Sequence, residues 1–78
     1  MSVTIARTLD LKGLSCPLPI AKTALAFREL QPGDVVESSA TDPGSVPDFQ
    51  AWCRSTGNEL LEQTEEGGVY RFLIRKGG

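Results

Sequence analysis

A cysteine stands directly before two prolines at alternate positions, in the segment Cys16-Pro17-Leu18-Pro19. Proline is accepted in the first turn of a helix because its missing N–H would have no intrahelical partner there. The residue before a proline is pushed toward extended backbone, which is the geometry of an N-cap residue. The segment therefore predicts a helix over residues 17 to about 30, with Cys16 at or beside its N-cap.

This position predicts an acidic thiol. Because Pro17 and Pro19 lack amide hydrogens, the free donors of this turn are expected to be chiefly Leu18 and Ile20, together with the positive end of the helix dipole. A dipole contribution of about 2 kcal/mol would lower the pKa of Cys16 by roughly one unit and favour the thiolate. Cysteine is a poor N-cap, so its presence there indicates a chemical role.

The composition limits the class of protein. A chain of 78 residues with 40% apolar content is expected to form one domain over residues 1–78. Two cysteines and no histidine exclude the usual Cys and His zinc sites and a Cys–His catalytic dyad. We therefore expect no metal and no organic cofactor. A single Cys16–Cys53 disulfide stays open, although a reducing compartment fits better.

Charge and hydropathy indicate the setting. The formal net charge is −2, with acidic and basic residues interspersed, which gives no footprint for direct nucleic-acid binding. No apolar run is long enough for a signal peptide or a membrane span. The sequence thus predicts a soluble, cytoplasmic protein with no membrane partner.

Alternating polar and apolar residues predict strands at 8–12, 35–41, 58–65 and 69–75, the last two joined by a turn at 66–68. In the first helix, the predicted core face contains Ile20, Ala24 and Phe27 and is widened by Ala21 and Leu25.

A second helix is expected after a turn at 42–44. Ser45 and Asp48 have the spacing of a capping box at its start, and Gly57 is a natural C-cap. Because Cys53 continues an apolar stripe with Val46 and Phe49, beside Trp52, it is predicted to be a packing residue.

The predicted order is β-α-β-α-β-β. Right-handed crossovers then place both helices on one face of a mixed four-stranded sheet, which is an α/β two-layer sandwich. The loop that holds Cys16 lies at the carboxyl end of the first strand, the usual place for chemistry in such folds.

A series of short motifs runs in order along almost the whole chain: Leu9-Asp10, Gly13-Leu14, Cys16-Pro17-x-Pro19, Gly33-Asp34, Asp42-Pro43 and Tyr70-x-Phe72-x-Ile74-Arg75-Lys76. In these motifs the chain resembles the TusA/SirA (YedF-like) family of small sulfur-carrier proteins, which share a Cys-Pro-x-Pro motif. The resemblance implies that Cys16 accepts persulfide sulfur from a cysteine desulfurase or rhodanese and passes it to a downstream acceptor protein. It does not choose among tRNA thiolation, molybdenum-cofactor supply, sulfur oxidation and selenium metabolism.

Around this cysteine, Lys12 and Lys22 are candidates to steady an anionic persulfide, although solvated surface lysines explain them equally well. Asp10 and Asp42 match family positions but are explained as turn or strand-end residues. The residues expected to support the helix tip are Gly13, Leu14, Pro17, Leu18, Pro19 and Ile20.

The sequence leaves three alternatives to a persulfide carrier open. The chain ends in Gly77-Gly78, as ubiquitin-like carriers do, so sulfur could travel as a thiocarboxylate on Gly78; glycines at a frayed terminus are nevertheless ordinary. A non-catalytic interaction module is the second alternative. A thiol–disulfide switch between Cys16 and Cys53 is the third, weakened by the predicted burial of Cys53.

Overall fold

A computed structural model describes residues 4–77 of the chain. Of the two helices in this part of the chain, the longer has 12 residues, and neither is long and apolar enough to cross a membrane. The elements are β1 (Ile5–Leu11), α1 (Leu18–Phe27), β2 (Val35–Ala40), α2 (Ser45–Thr56), β3 (Glu59–Glu66) and β4 (Val69–Arg75).

The four strands form one mixed sheet with the spatial order β1-β2-β4-β3. Strands β1 and β2 are parallel, whereas β4 pairs antiparallel with both β2 and β3. This confirms the predicted element order and the mixed four-stranded sheet. β4 has the predicted bounds, and β1 begins earlier than predicted, at Ile5.

One hydrophobic core lies between the helices and a single face of the sheet. Phe49 of α2 stacks on Phe72 of β4 with ring centroids 4.4 Å apart, and Phe27 of α1 meets Trp52 of α2 edge to face at 5.1 Å. Both helices therefore cover the same face, as predicted. The buried core residues are Leu11, Phe27, Val36, Ala40, Phe49, Cys53, Phe72 and Ile74.

The predicted core face of α1 is partly wrong. Leu25 is 59% exposed and Ala21 is exposed, whereas Pro19, Thr23 and Ala26 are buried beside Phe27. The buried Thr23 hydroxyl donates a 2.8 Å hydrogen bond to the Pro19 carbonyl oxygen, so its polar group is satisfied inside the core. Because this helix is apolar on most sides, its periodicity alone does not fix which side packs inward.

Helix α1 also ends earlier than predicted. The amides of Arg28, Glu29 and Leu30 bond to carbonyl oxygens three residues back, at 3.1 to 3.2 Å, which tightens the chain after Phe27. Lys76 then covers this end: its Nζ donates to the carbonyl oxygens of Phe27 and Leu30 at 2.7 and 2.6 Å.

The end of the described chain is anchored. The Gly77 amide donates a 2.9 Å hydrogen bond to Asn58 Oδ1, and a Cβ at Gly77 would collide with the Gly57 carbonyl group. Residues 76 and 77 follow β4 and are hydrogen-bonded to the turns at 31–34 and 57–58, so the expectation of a frayed terminus is wrong as far as Gly77. Gly78 lies outside the described residues.

Candidate functional site

Cys16 lies in the loop between β1 and α1, beside the start of the helix. Pro17 is the N-cap residue, with φ −98° and ψ 15°, and the Cys16–Pro17 peptide bond is cis. The predicted position at or beside the N-cap is confirmed, and Cys16 is exposed. The expectation of a free Leu18 amide is wrong, because that amide donates a 2.9 Å hydrogen bond to the Ser15 carbonyl oxygen.

Two residues that follow β2 hold the cysteine loop. Asp42 Oδ2 accepts a 2.8 Å hydrogen bond from the Cys16 amide, and its Oδ1 accepts one of 3.2 Å from the Gly44 amide. The Gly13 amide donates to Thr41 Oγ1 at 3.0 Å. Because β1 and β2 are parallel neighbours, their carboxyl ends meet at one edge of the sheet, which brings these two loops together.

The Cys16 thiol itself contacts α2. Its Sγ donates a 2.8 Å hydrogen bond to Asp48 Oδ2, in the first turn of that helix. The predicted capping box of Ser45 and Asp48 is therefore wrong: Gly44 is the N-cap residue and provides no side-chain cap. The Ser45 hydroxyl is buried without a hydrogen-bond partner among the described residues.

These carboxylates reverse the expected acidity of the thiol. The hydrogen bond to Asp48 raises the pKa of Cys16 above its ordinary value, and desolvation and the negative charges of Asp48 and Asp42 raise it further. The predicted lowering of this pKa is wrong, because two carboxylates from the β2–α2 region oppose the dipole of α1.

The other predicted site residues divide into core and surface. Leu14 and Ile20 are partly buried against the core, and Pro19 is fully buried, so they anchor the start of α1. Lys12 is paired with Asp10, with Nζ 3.1 Å from Oδ1, and Lys22 is exposed on α1. Of the residues expected to support the helix tip, Gly13, Pro17 and Leu18 are exposed, Leu18 to 46%.

Cys53 is a packing residue, as predicted. Its side chain belongs to the core with 4% exposure, and burial raises the pKa of its thiol to about 11. A thiol of this kind is a poor resolving group, since thiol–disulfide exchange needs an accessible thiolate. The structure thus weakens the alternative of a switch between Cys16 and Cys53.

Sequence reasoning missed the two residues that contact Cys16. The sequence explains Asp42 as a turn or strand-end residue. It does have a turn role, because its carboxylate accepts the hydrogen bond of the Gly44 amide. Its second role follows from the parallel pairing of β1 and β2, and that signal was present in the predicted topology. Asp48 was assigned to a local capping box, and nothing in its sequence neighbourhood indicates a contact with a residue in the first loop.

Comparison with known proteins identifies the family of this chain. A family model described as Sulfurtransferase TusA matches residues 7–76. The sulfur carrier protein TusA of Allochromatium vinosum is 52% identical over 68 residues, covering 87% of this chain and 90% of that protein. The sulfur carrier protein TusA of Pseudomonas aeruginosa is 40% identical over 76 residues, covering 97% and 96%.

A solved structure shares the fold. The crystal structure of the SirA-like protein from Desulfitobacterium hafniense gives a TM-score of 0.81 at 27% identity, covering 92% of this chain and 99% of that one. Fold and sequence together define a two-layer α/β protein of the SirA-like type. The chain belongs to the TusA family, which confirms the resemblance drawn from its motifs.

Proposed function

We propose that this protein is a sulfur carrier that receives persulfide sulfur on Cys16 and hands it to a second protein, with residues 1–78 acting as one carrier domain. The observation that carries the proposal is the exposed Cys16 thiol at the start of α1, on a loop held by Asp42. Relatives named sulfur carriers support the same role.

The transfer needs neither a metal nor a change of net oxidation state. The Cys16 thiolate attacks the outer sulfur of a donor persulfide, so a new S–S bond forms while the donor's S–S bond breaks. The donor cysteine leaves as a thiolate and takes up a proton equivalent to the one that Cys16 lost. Transfer onward repeats the same exchange with Cys16 as the leaving thiolate.

The shape of the site suits a protein partner better than a small substrate. Cys16 and Pro17 are exposed, and Leu18 beside them is 46% accessible, so the cysteine lies on an open surface that a second protein can reach. We infer a cysteine desulfurase or rhodanese as donor and a sulfur-accepting protein downstream, in a pathway such as tRNA thiolation, molybdenum-cofactor supply or sulfur oxidation. Lys12 and Lys22 are proposed to give electrostatic support only.

A reducing compartment such as the cytoplasm fits this chemistry, since persulfide transfer needs Cys16 as a free thiol. Both cysteines are free in the structure. The exchange is balanced without a redox cofactor, so we propose that the carrier needs none.

The test is sulfur uptake measured by intact mass. The full chain is incubated with a cysteine desulfurase and free cysteine, and one added sulfur atom that reductant removes is the expected product. Cys16→Ala should abolish the uptake, whereas the matched variant Cys53→Ala should retain it. A wild-type chain that takes up no sulfur from desulfurases or rhodaneses would contradict the proposal and favour an interaction module.

The thiocarboxylate alternative has its own control. Deletion of Gly78 breaks the Gly-Gly ending and moves the terminal carboxylate to Gly77, so the Gly78 carboxylate that such a carrier would activate is gone. The Gly77 amide keeps its hydrogen bond to Asn58. Sulfur carried on Cys16 survives this deletion. Uptake that persists in Cys16→Ala and disappears with Gly78 would assign the sulfur to the terminus.

A further inference from the structure

Two carboxylates bind Cys16, one at its thiol and one at its backbone amide. Asp48 of α2 accepts the thiol hydrogen bond at 2.8 Å, and Asp42 of the β2–α2 turn binds the Cys16 amide at the same distance. Both carboxylates raise the pKa of the Cys16 thiol. Lys12, on the loop of Cys16, is already paired with Asp10.

This arrangement is unfavourable for the chemistry in which we place Cys16. The attacking group is a thiolate, and the loaded group is a persulfide that ionises still more readily than a thiol. A neighbouring carboxylate raises the energy of both anions relative to their protonated forms. In the carrier alone, the thiol of Cys16 and the persulfide formed on it are therefore both held toward their protonated, less reactive forms.

We propose that Asp48 holds the Cys16 thiol in its protonated form, and that a protein partner releases the thiol by placing a guanidinium or ammonium group on Asp48. The second half rests on the proposed sulfur-carrier function. A partner cation removes the acceptor of the thiol hydrogen bond and neutralises the nearest charge, so both changes favour the thiolate.

The partner's cation thus acts as a recognition element. A reagent without a positive group leaves the Cys16 thiol protonated. A donor that places a positive group on Asp48 favours the thiolate, which then attacks the donor. Arginine suits this position because its planar group can bind a carboxylate through two parallel hydrogen bonds. Asp48 is half-buried with its carboxylate at the exposed Cys16, which leaves room for a partner side chain to reach it.

The first experiment follows alkylation of Cys16 by iodoacetamide, a neutral reagent, as a function of pH. Asp48→Asn should lower the midpoint of the rate profile by roughly one pH unit. At neutral pH it should react roughly threefold faster, since the gain in thiolate is partly offset by lower nucleophilicity. Glu62→Gln, which removes one charge from an exposed position on β3, should match the wild type.

The second experiment tests the cation with charged sulfur reagents. Two methanethiosulfonates are used, one bearing a trimethylammonium group and one a sulfonate. The Cys16 thiolate attacks the alkylthio sulfur of either reagent, so a mixed disulfide forms while the bond to the sulfonyl sulfur breaks and methanesulfinate leaves. The wild type should favour the cationic reagent, and Asp48→Asn should reduce the ratio of the two rates by at least about threefold. Asp48→Glu keeps the charge and should retain the preference. The fluorescence of Trp52 checks that each variant is folded.

An iodoacetamide midpoint in Asp48→Asn at or above that of the wild type would overturn the first half of the proposal. Equal ratios of the cationic and anionic rates in the wild type and in Asp48→Asn would overturn the second. Both readouts use small reagents, so they are separate from the desulfurase assay. Failure of sulfur uptake by the wild type would reject the carrier function and leave these measurements unchanged.

Discussion

The backbone amide of Cys16 lies 2.8 Å from Oδ2 of Asp42 and donates a hydrogen bond to it. The same carboxylate accepts the Gly44 amide at 3.2 Å, so one side chain fixes both the loop after β1 and the turn after β2. The direction of the Cys16 thiol therefore depends on a residue that follows a different strand.

Asp42→Ala should loosen the cysteine loop, because two backbone amides lose their acceptor. We expect the free energy of unfolding to fall by about 1 to 2 kcal/mol, measured in urea by Trp52 fluorescence. Amide hydrogen exchange at Cys16 should become faster. Asp10→Ala is the matched control. Asp10 is exposed, and within residues 4–77 its carboxylate bonds to its near neighbour Lys12, so a loss below about 0.5 kcal/mol is expected. Equal losses in the two variants would contradict this role of Asp42.

The sequence predicted the element order because each element carries local signals. The prolines beside Cys16 marked the start of α1, and Gly57 ends α2 with φ 80°, in the left-handed region that glycine adopts readily. The alternation of Tyr70, Phe72 and Ile74 with polar or outward positions predicted the bounds of β4 correctly.

Features that depend on tertiary contacts could not be predicted from such local signals. The buried side of α1 was partly misassigned because Leu25 and Ala26 are both apolar and only packing separates them. The acidity of Cys16 was predicted with the wrong sign because a local argument included the helix dipole and omitted Asp48, which lies far along the chain.

The buried Cys53 thiol predicts a pH dependence of stability. Burial raises its pKa from 9.0 to about 11, so between these values the unfolded chain binds fewer protons than the folded chain. Stability from this group is complete below pH 9 and falls as the pH rises toward 11. Urea unfolding of the wild type and Cys53→Ala across this range should show a steeper loss for the wild type. Parallel curves would show that the thiol is not responsible.

Lys76 is expected to stabilise the end of α1 through its bonds to the Phe27 and Leu30 carbonyl oxygens. Lys76→Met keeps most of the length of the side chain but removes its hydrogen-bond donor. We expect the free energy of unfolding to fall by about 1 to 2 kcal/mol. Lys22→Met, at an exposed position on the same helix, is the matched control and should change stability little. Comparable losses in both variants would show that Lys76 has no special part in ending α1.

The most direct test locates the sulfur atom in the wild-type chain. After loading by a cysteine desulfurase, the protein is digested with trypsin under non-reducing conditions and its peptides are weighed. Cleavage after Lys12 and Lys22 releases the peptide with Cys16, and cleavage after Arg28 and Arg54 releases the one with Cys53. The added sulfur should lie on the Cys16 peptide. Sulfur on the Cys53 peptide or on the segment after Lys76 would contradict the assignment of Cys16 as the carrier thiol.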